Sequence, residues 1–172
     1  TTTKTDGGPG ATRTMSYTLN AAADFLLVRV HWAGSTSISS VTWGGVAMTS
    51  VGGVIRSNGD AHACQMYYKT SPATGTADVV VTFSGSTDFS IEAASGYSGV
   101  DTAAPTSSYQ TGAADSQPSP ASITAVSSVV GDLVIIMWPP HTTAAPTAQN
   151  QTEDYRVIDG DTFLVAAGGH AD

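Results

Sequence analysis

The sequence predicts an all-β fold, an antiparallel sandwich or barrel. Three observations carry this. Apolar residues recur with period two over many short stretches. Turn chemistry punctuates the chain at short intervals, as in Asn58-Gly59-Asp60, Ser71-Pro72-Ala73-Thr74-Gly75, Ser84-Gly85-Ser86 and Asp159-Gly160-Asp161. No window holds a helical apolar stripe free of Gly, Pro or β-branched residues.

Each strand follows from its own pattern. Arg13 to Leu19 alternates modestly. From Asp24 to Trp32, the row Leu26, Val28, Val30, Trp32 is wholly apolar and is expected to face a core. The opposite row, Phe25, Leu27, Arg29, His31, turns polar and is expected to reach solvent at that end. Val41 to Trp43 and Val46 to Met48 flank Gly44-Gly45, a two-residue hairpin signal, because paired glycines accept positive φ. From His62 to Lys69, Cys64, Met66 and Tyr68 are expected inward, and Gln65, Tyr67 and Lys69 outward. Ala77, Val79, Val81 and Phe83 form an inner row with Asp78 and Thr82 outside. Phe89, Ile91 and Ala93 form another, with Ser90 and Glu92 outside. Ser122 to Val126 and Thr162 to Ala166 are short candidates. Leu133 to Trp138 is apolar in both phases, as a strand covered on two sides would be.

One domain is expected over 1–172, with an N-terminal arm at 1–11 and long loops at 102–120 and 139–154. At 172 residues and 17.4 kDa the chain is long enough to bury a core without a metal or disulfide staple. Charged residues make up 12% of it, against about 25% in an average soluble domain. Ser and Thr together are roughly a quarter. The six cations are scattered, and the net charge is −8 with a pI near 4.6. This opposes nucleic-acid and anionic-membrane binding, which need a basic footprint. No run of about 18 apolar residues is present to span a bilayer as a helix. Thr1 to Thr5 lacks an initiator Met and an apolar signal core, and suggests a processed or trimmed start. Few charges, many hydroxyls and many small residues fit secreted or virion β-proteins.

The order of several segments is distinctive. Asp24-Phe25-Leu26-Leu27-Val28 is followed by Val41-Thr42-Trp43-Gly44-Gly45-Val46-Ala47-Met48-Thr49 and Met66-Tyr67-Tyr68. Then come Ser71 to Thr76, Val79-Val80-Val81-Thr82, and Gly96-Tyr97-Ser98-Gly99-Val100-Asp101 before Pro105. From about Thr12 to Val165 this order resembles a jelly-roll-like β-sandwich module of bacterial cell-surface and phage structural proteins. The resemblance implies an antiparallel two-sheet β-sandwich of jelly-roll type. It also implies an extracellular, cell-surface or virion setting and a role in assembly or adhesion. It brings no catalytic residues. Such modules usually end in a further apolar strand, whereas this sequence runs from Phe163-Leu164-Val165 into Gly168-Gly169-His170-Ala171-Asp172. A strand edge or terminal arm is therefore expected to engage a neighbouring subunit.

Candidate chemistry is sparse. Gly96-Tyr97-Ser98-Gly99 lacks the second spacer of a nucleophile elbow, and no helix follows it. His31, His62, His141 and His170 form no zinc-type spacing. Few acids lie within the expected strands, Glu92 and Asp78 among them, and no cleft signal pairs them as a glycosidase requires. Cys64 has no second cysteine to bridge and sits among Ala63 and Met66, as a buried small hydrophobe does. His62, two residues away, shares its strand face. Asp154, Asp159 and Asp161, with Glu153 nearby, are candidate oxygen ligands for calcium, although Asp-Gly-Asp is also a good turn in its own right. Asn150-Gln151-Thr152 matches the glycosylation sequon. Trp43, Tyr67 and Trp138 are candidate exposed aromatics for stacking on a sugar.

Two functional expectations result. The first is a non-enzymatic structural or adhesion subunit, such as a virion decoration or fibre protein or a surface filament. Its partners would be copies of itself or a neighbouring structural protein. The alternative is a carbohydrate-binding module that uses the exposed aromatics.

Overall fold

The computed structural model describes residues 2–7, 9–57, 62–106, 135–137, 152–158 and 165–170. All the regular structure among them is strand. In chain order the strands are β1 (Thr2–Gly7), β2 (Gly10–Leu19), β3 (Phe25–Ala33), β4 (Ile38–Trp43), β5 (Val46–Ala47) and β6 (Thr49–Ser57). They continue with β7 (His62–Thr70), β8 (Gly75–Thr87), β9 (Phe89–Tyr97), β10 (Ile136–Met137), β11 (Thr152–Ile158) and β12 (Val165–His170).

Two antiparallel sheets pack face to face as a β-sandwich. One has the order β1-β9-β3-β7-β6 and the other β2-β8-β4-β5. The pairings nest: β1 with β9, β2 with β8 and β3 with β7, alternating between the sheets. A third, small antiparallel sheet has the order β10-β12-β11. The core between the two large sheets takes Leu26, Val28, Val30 and Trp32 from β3. Against them lie Met15, Tyr17 and Leu19 of β2, Val41 and Trp43 of β4, and Val79, Val81 and Phe83 of β8. Trp32 and Phe83 meet tilted, with centroids 5.8 Å apart. At the β4–β5 hairpin Trp43 pairs with Val46, and Gly44 and Gly45 take φ of 54° and 80°. Only glycine adopts such angles without steric cost.

Several expected faces are reversed. Directly opposed residues of paired strands share a sheet face. Val28 opposes Tyr67 and Ala94, and Val30 opposes Gln65 and Glu92. Tyr67, Gln65 and Glu92 therefore face the sandwich interior, not solvent, and all three are buried. Cys64 lies on the sheet's other face, opposite His31. That second face is buried as well: Arg29 and His31 are 0% exposed, where the pattern placed them at the surface.

Residues expected as an N-terminal arm form β1, paired with β9 from Thr2 to Gly7. β6 had no strand signal. β11 begins inside the expected 139–154 loop, β10 lies within the expected 133–138 strand, and β12 runs on past the expected 162–166 strand. The expected strand at 122–126 lies outside the described residues.

Candidate functional site

The sheet β2-β8-β4-β5 turns a continuous hydroxyl face outward. β2 alternates strictly, so Met15, Tyr17 and Leu19 point inward while Thr12, Thr14, Ser16 and Thr18 are exposed. Across β8 the same face carries Thr76, Asp78, Val80 and Thr82, and across β4 it carries Ser40 and Thr42. Thr18 and Thr76 join their hydroxyls at 2.8 Å. Asp78 is the one ionisable side chain in these rows.

The edges of the two large sheets differ in protection. β5 is two residues long, and its Val46, 53% exposed, is the one exposed large apolar side chain among the described residues. β6 is interrupted between Val51 and Ile55, where Gly52 has a φ of 61°. β1 carries Lys4 and Asp6. β2 runs unbroken against β8 from Thr12 to Leu19, with neither Lys nor Pro. Short strands, bulges and charges are the usual guards of a sheet edge; in β2 the register shift between Gly10 and Thr12 and the charge of Arg13 both lie at the N-terminal end, and the stretch from Thr14 to Leu19 has neither.

Polar groups inside the sandwich hold the sheets in place. Arg13 reaches between them: Nε donates to Ser90 Oγ at 2.9 Å and Nη2 to Thr87 Oγ1 at 3.3 Å. On the outer face of β3, Arg29 Nη2 donates to Ser95 Oγ at 2.6 Å. At the strand ends, the Asp24 carboxylate accepts the Gly99 and Val100 N–H groups at 2.7 and 3.2 Å. Arg56 donates to the Thr36 carbonyl at 2.6 Å, with its guanidinium 5.9 Å from the Trp32 ring centroid.

Two of the three residues named for a sugar platform, Trp43 and Tyr67, are buried. Trp43 is 2% exposed, donates Nε1–H to the Ala73 carbonyl at 2.9 Å and packs edge-on against Tyr17. Tyr67 is 8% exposed and donates its hydroxyl to Gln65 Oε1 at 2.8 Å. Neither offers a ring face to a ligand. Burial, the only cause at work, pushes the Tyr67 phenol up to about 12. Trp138 lies outside the described residues, as do Asp159, Asp161, Asn150 and His141. Asp154 falls in β11, where the register with β12 shifts between Glu153 and Tyr155. Among the described residues no three His, Cys, Asp or Glu side chains converge as metal ligands would.

Cys64 and His31 oppose each other on neighbouring strands, a pairing that sequence spacing could not reveal. It makes no activated nucleophile. Burial pushes the Cys64 thiol up to about 12, so at neutral pH it stays protonated. Comparison with family models, with curated proteins and with solved structures finds no match for this chain.

Proposed function

We propose that the chain is a non-enzymatic structural or adhesion subunit of an extracellular assembly, on a virion or a cell surface, working through self-association and surface contacts. The observation that carries this reading is the hydroxyl face of β2, β8 and β4, which ends at the uncharged, regular stretch of the β2 edge from Thr14 to Leu19. Broad, weakly charged surfaces suit static contacts between subunits, because neither long-range repulsion nor strong hydration of ions opposes their approach. The sparse charge, 12% of residues, supports the same reading. The nested pairing of β1 with β9, β2 with β8 and β3 with β7 supports a jelly-roll assignment of the sandwich. No helix among the described residues is long and apolar enough to cross a membrane. With Trp43 and Tyr67 buried, no observation favours the sugar-stacking alternative.

Light scattering on the purified chain over a wide concentration range, with micrographs of the concentrated sample, tests the reading. Mass should rise with concentration toward a defined oligomer. A monomer at every concentration would overturn it.

A further inference from the structure

The direction of the backbone groups along β2 follows from its neighbours. Gly44 N–H donates to the Asp78 carbonyl at 2.9 Å, and Met48 N–H donates to the Val41 carbonyl at 2.9 Å. Asp78 therefore turns its backbone groups toward β4, and so do Val80 and Thr82, because groups alternate sides along a strand. Ala77, Val79 and Val81 then turn toward β2, where they oppose Tyr17, Met15 and Arg13. Those odd-numbered β2 residues spend their N–H and C=O groups on β8. The even-numbered ones, Thr12, Thr14, Ser16 and Thr18, aim theirs away from it, where no strand lies alongside among the described residues. Arg13 Nη1 takes the Thr12 carbonyl at 3.1 Å, so the open stretch runs from Thr14 to Thr18.

Resting on the self-association reading, we infer that this stretch of β2 is the interface, pairing antiparallel with β2 of a second copy about a two-fold axis at Ser16. In that register Thr14 faces Thr18 of the other copy and Ser16 faces its equivalent. A two-fold contact must be self-complementary, and rows of hydroxyls meet that condition in either direction. Charge permits it as well. On a chain of net charge −8, the facing rows carry no ion. Asp78 sits one strand in, opposite Ser16. The two copies' Asp78 carboxylates would be three strand spacings apart, about 14 Å, beyond the screening length of about 8 Å at physiological salt. Pairing joins the two four-stranded sheets into one and carries the hydroxyl face across both subunits. The other edges are less fit: β5 is too short, β6 is bulged, and β1 brings Lys4 and Asp6.

Two variants test the interface on the full chain. Ser16→Pro removes an N–H that β8 does not use, so the fold should persist while pairing is blocked at the axis. Ser16→Glu keeps that N–H and sets a carboxylate against its own copy. Sedimentation velocity should show an associating wild type. Each variant that keeps its β circular-dichroism spectrum should raise the dissociation constant at least about tenfold. Val46→Glu, at the β5 tip, should leave the association unchanged. If Ser16→Pro fails to fold, Ser16→Glu decides alone. A folded Ser16 variant that associates like wild type, or dissociation by Val46→Glu, overturns the β2 interface while self-association stands. A wild type that stays monomeric overturns both.

Discussion

In β2 the row that faces away from the core, Thr12, Thr14, Ser16 and Thr18, is exposed. In β3 the equivalent row, Phe25, Leu27, Arg29 and His31, is buried to the last residue. The strands differ little in length, and both belong to antiparallel sheets of one sandwich. The difference is in what each outer row must satisfy. Water serves the β2 hydroxyls, so that sheet is free to offer them to a partner. β3 is covered on both faces, so its polar side chains need partners within the fold, as Arg29 has in Ser95. One sheet is sealed on both faces along β3, and the other leaves its outer face to water.

Substitutions on the two outer rows should break or sharpen this contrast. Leu27→Ala, on the outer row of β3, should cost about 2–5 kcal/mol of unfolding free energy, as a core truncation does. A urea titration reads it, and a loss below that range would mean the row is not sealed. Ser95→Ala strips Arg29 of an acceptor in a dry setting and should cost about 1.5–3 kcal/mol in the same assay. Gly96→Ala should cost about 1–3 kcal/mol. A Cβ there would collide with Leu19 Cδ1, beside the bond from Gly96 N–H to the Tyr17 hydroxyl.

Alkaline pH probes the same interior. Burial raises the Cys64 thiol from 9.0 and the Tyr67 phenol from 10.0, each to about 12. The unfolded chain releases these protons first, so the native state holds more of them in that window. Their stabilisation is complete below about pH 9 and declines as pH climbs toward about 12. The urea midpoint should fall through this window; a flat profile would contradict burial of the two groups. Smallest of all, Thr14→Ala on β2 should change stability by no more than about 0.5 kcal/mol, since its side chain is solvated in the single subunit.

The same contrast explains what the sequence discloses. β2, β4 and β8 each have a wet face and a dry one, so alternation alone assigns Val79, Val81 and Phe83 to the core and shows, more faintly, as the modest alternation of Arg13 to Leu19, while Gly44-Gly45 marks the hairpin. β3 is buried on both faces, and β7 and β9 bury residues of both rows, such as Cys64 and Gln65 or Glu92 and Ala93, so polarity no longer reports direction there. Alternation with Cys64, Met66, Ile91 and Ala93 points Tyr67 and Glu92 outward, yet register with Val28 and Val30 turns them in. Trp43 lies next to a hairpin tip, and only tertiary packing against Tyr17 reveals that it is sealed. The hydroxyl residues of β2 are plain in the sequence. Their role as a bare edge is not, because an edge is defined by which strands are missing beside it.

Residue-resolved amide hydrogen exchange, followed as concentration is raised, tests the central claim most directly. In dilute solution Arg13, Met15 and Tyr17 should be protected by β8, while Thr14, Ser16 and Thr18 exchange freely. On concentration those even-numbered amides should become protected in step with the rise in mass. If they are already protected at high dilution, or stay unprotected while the mass rises, β2 is not the edge through which the subunits meet.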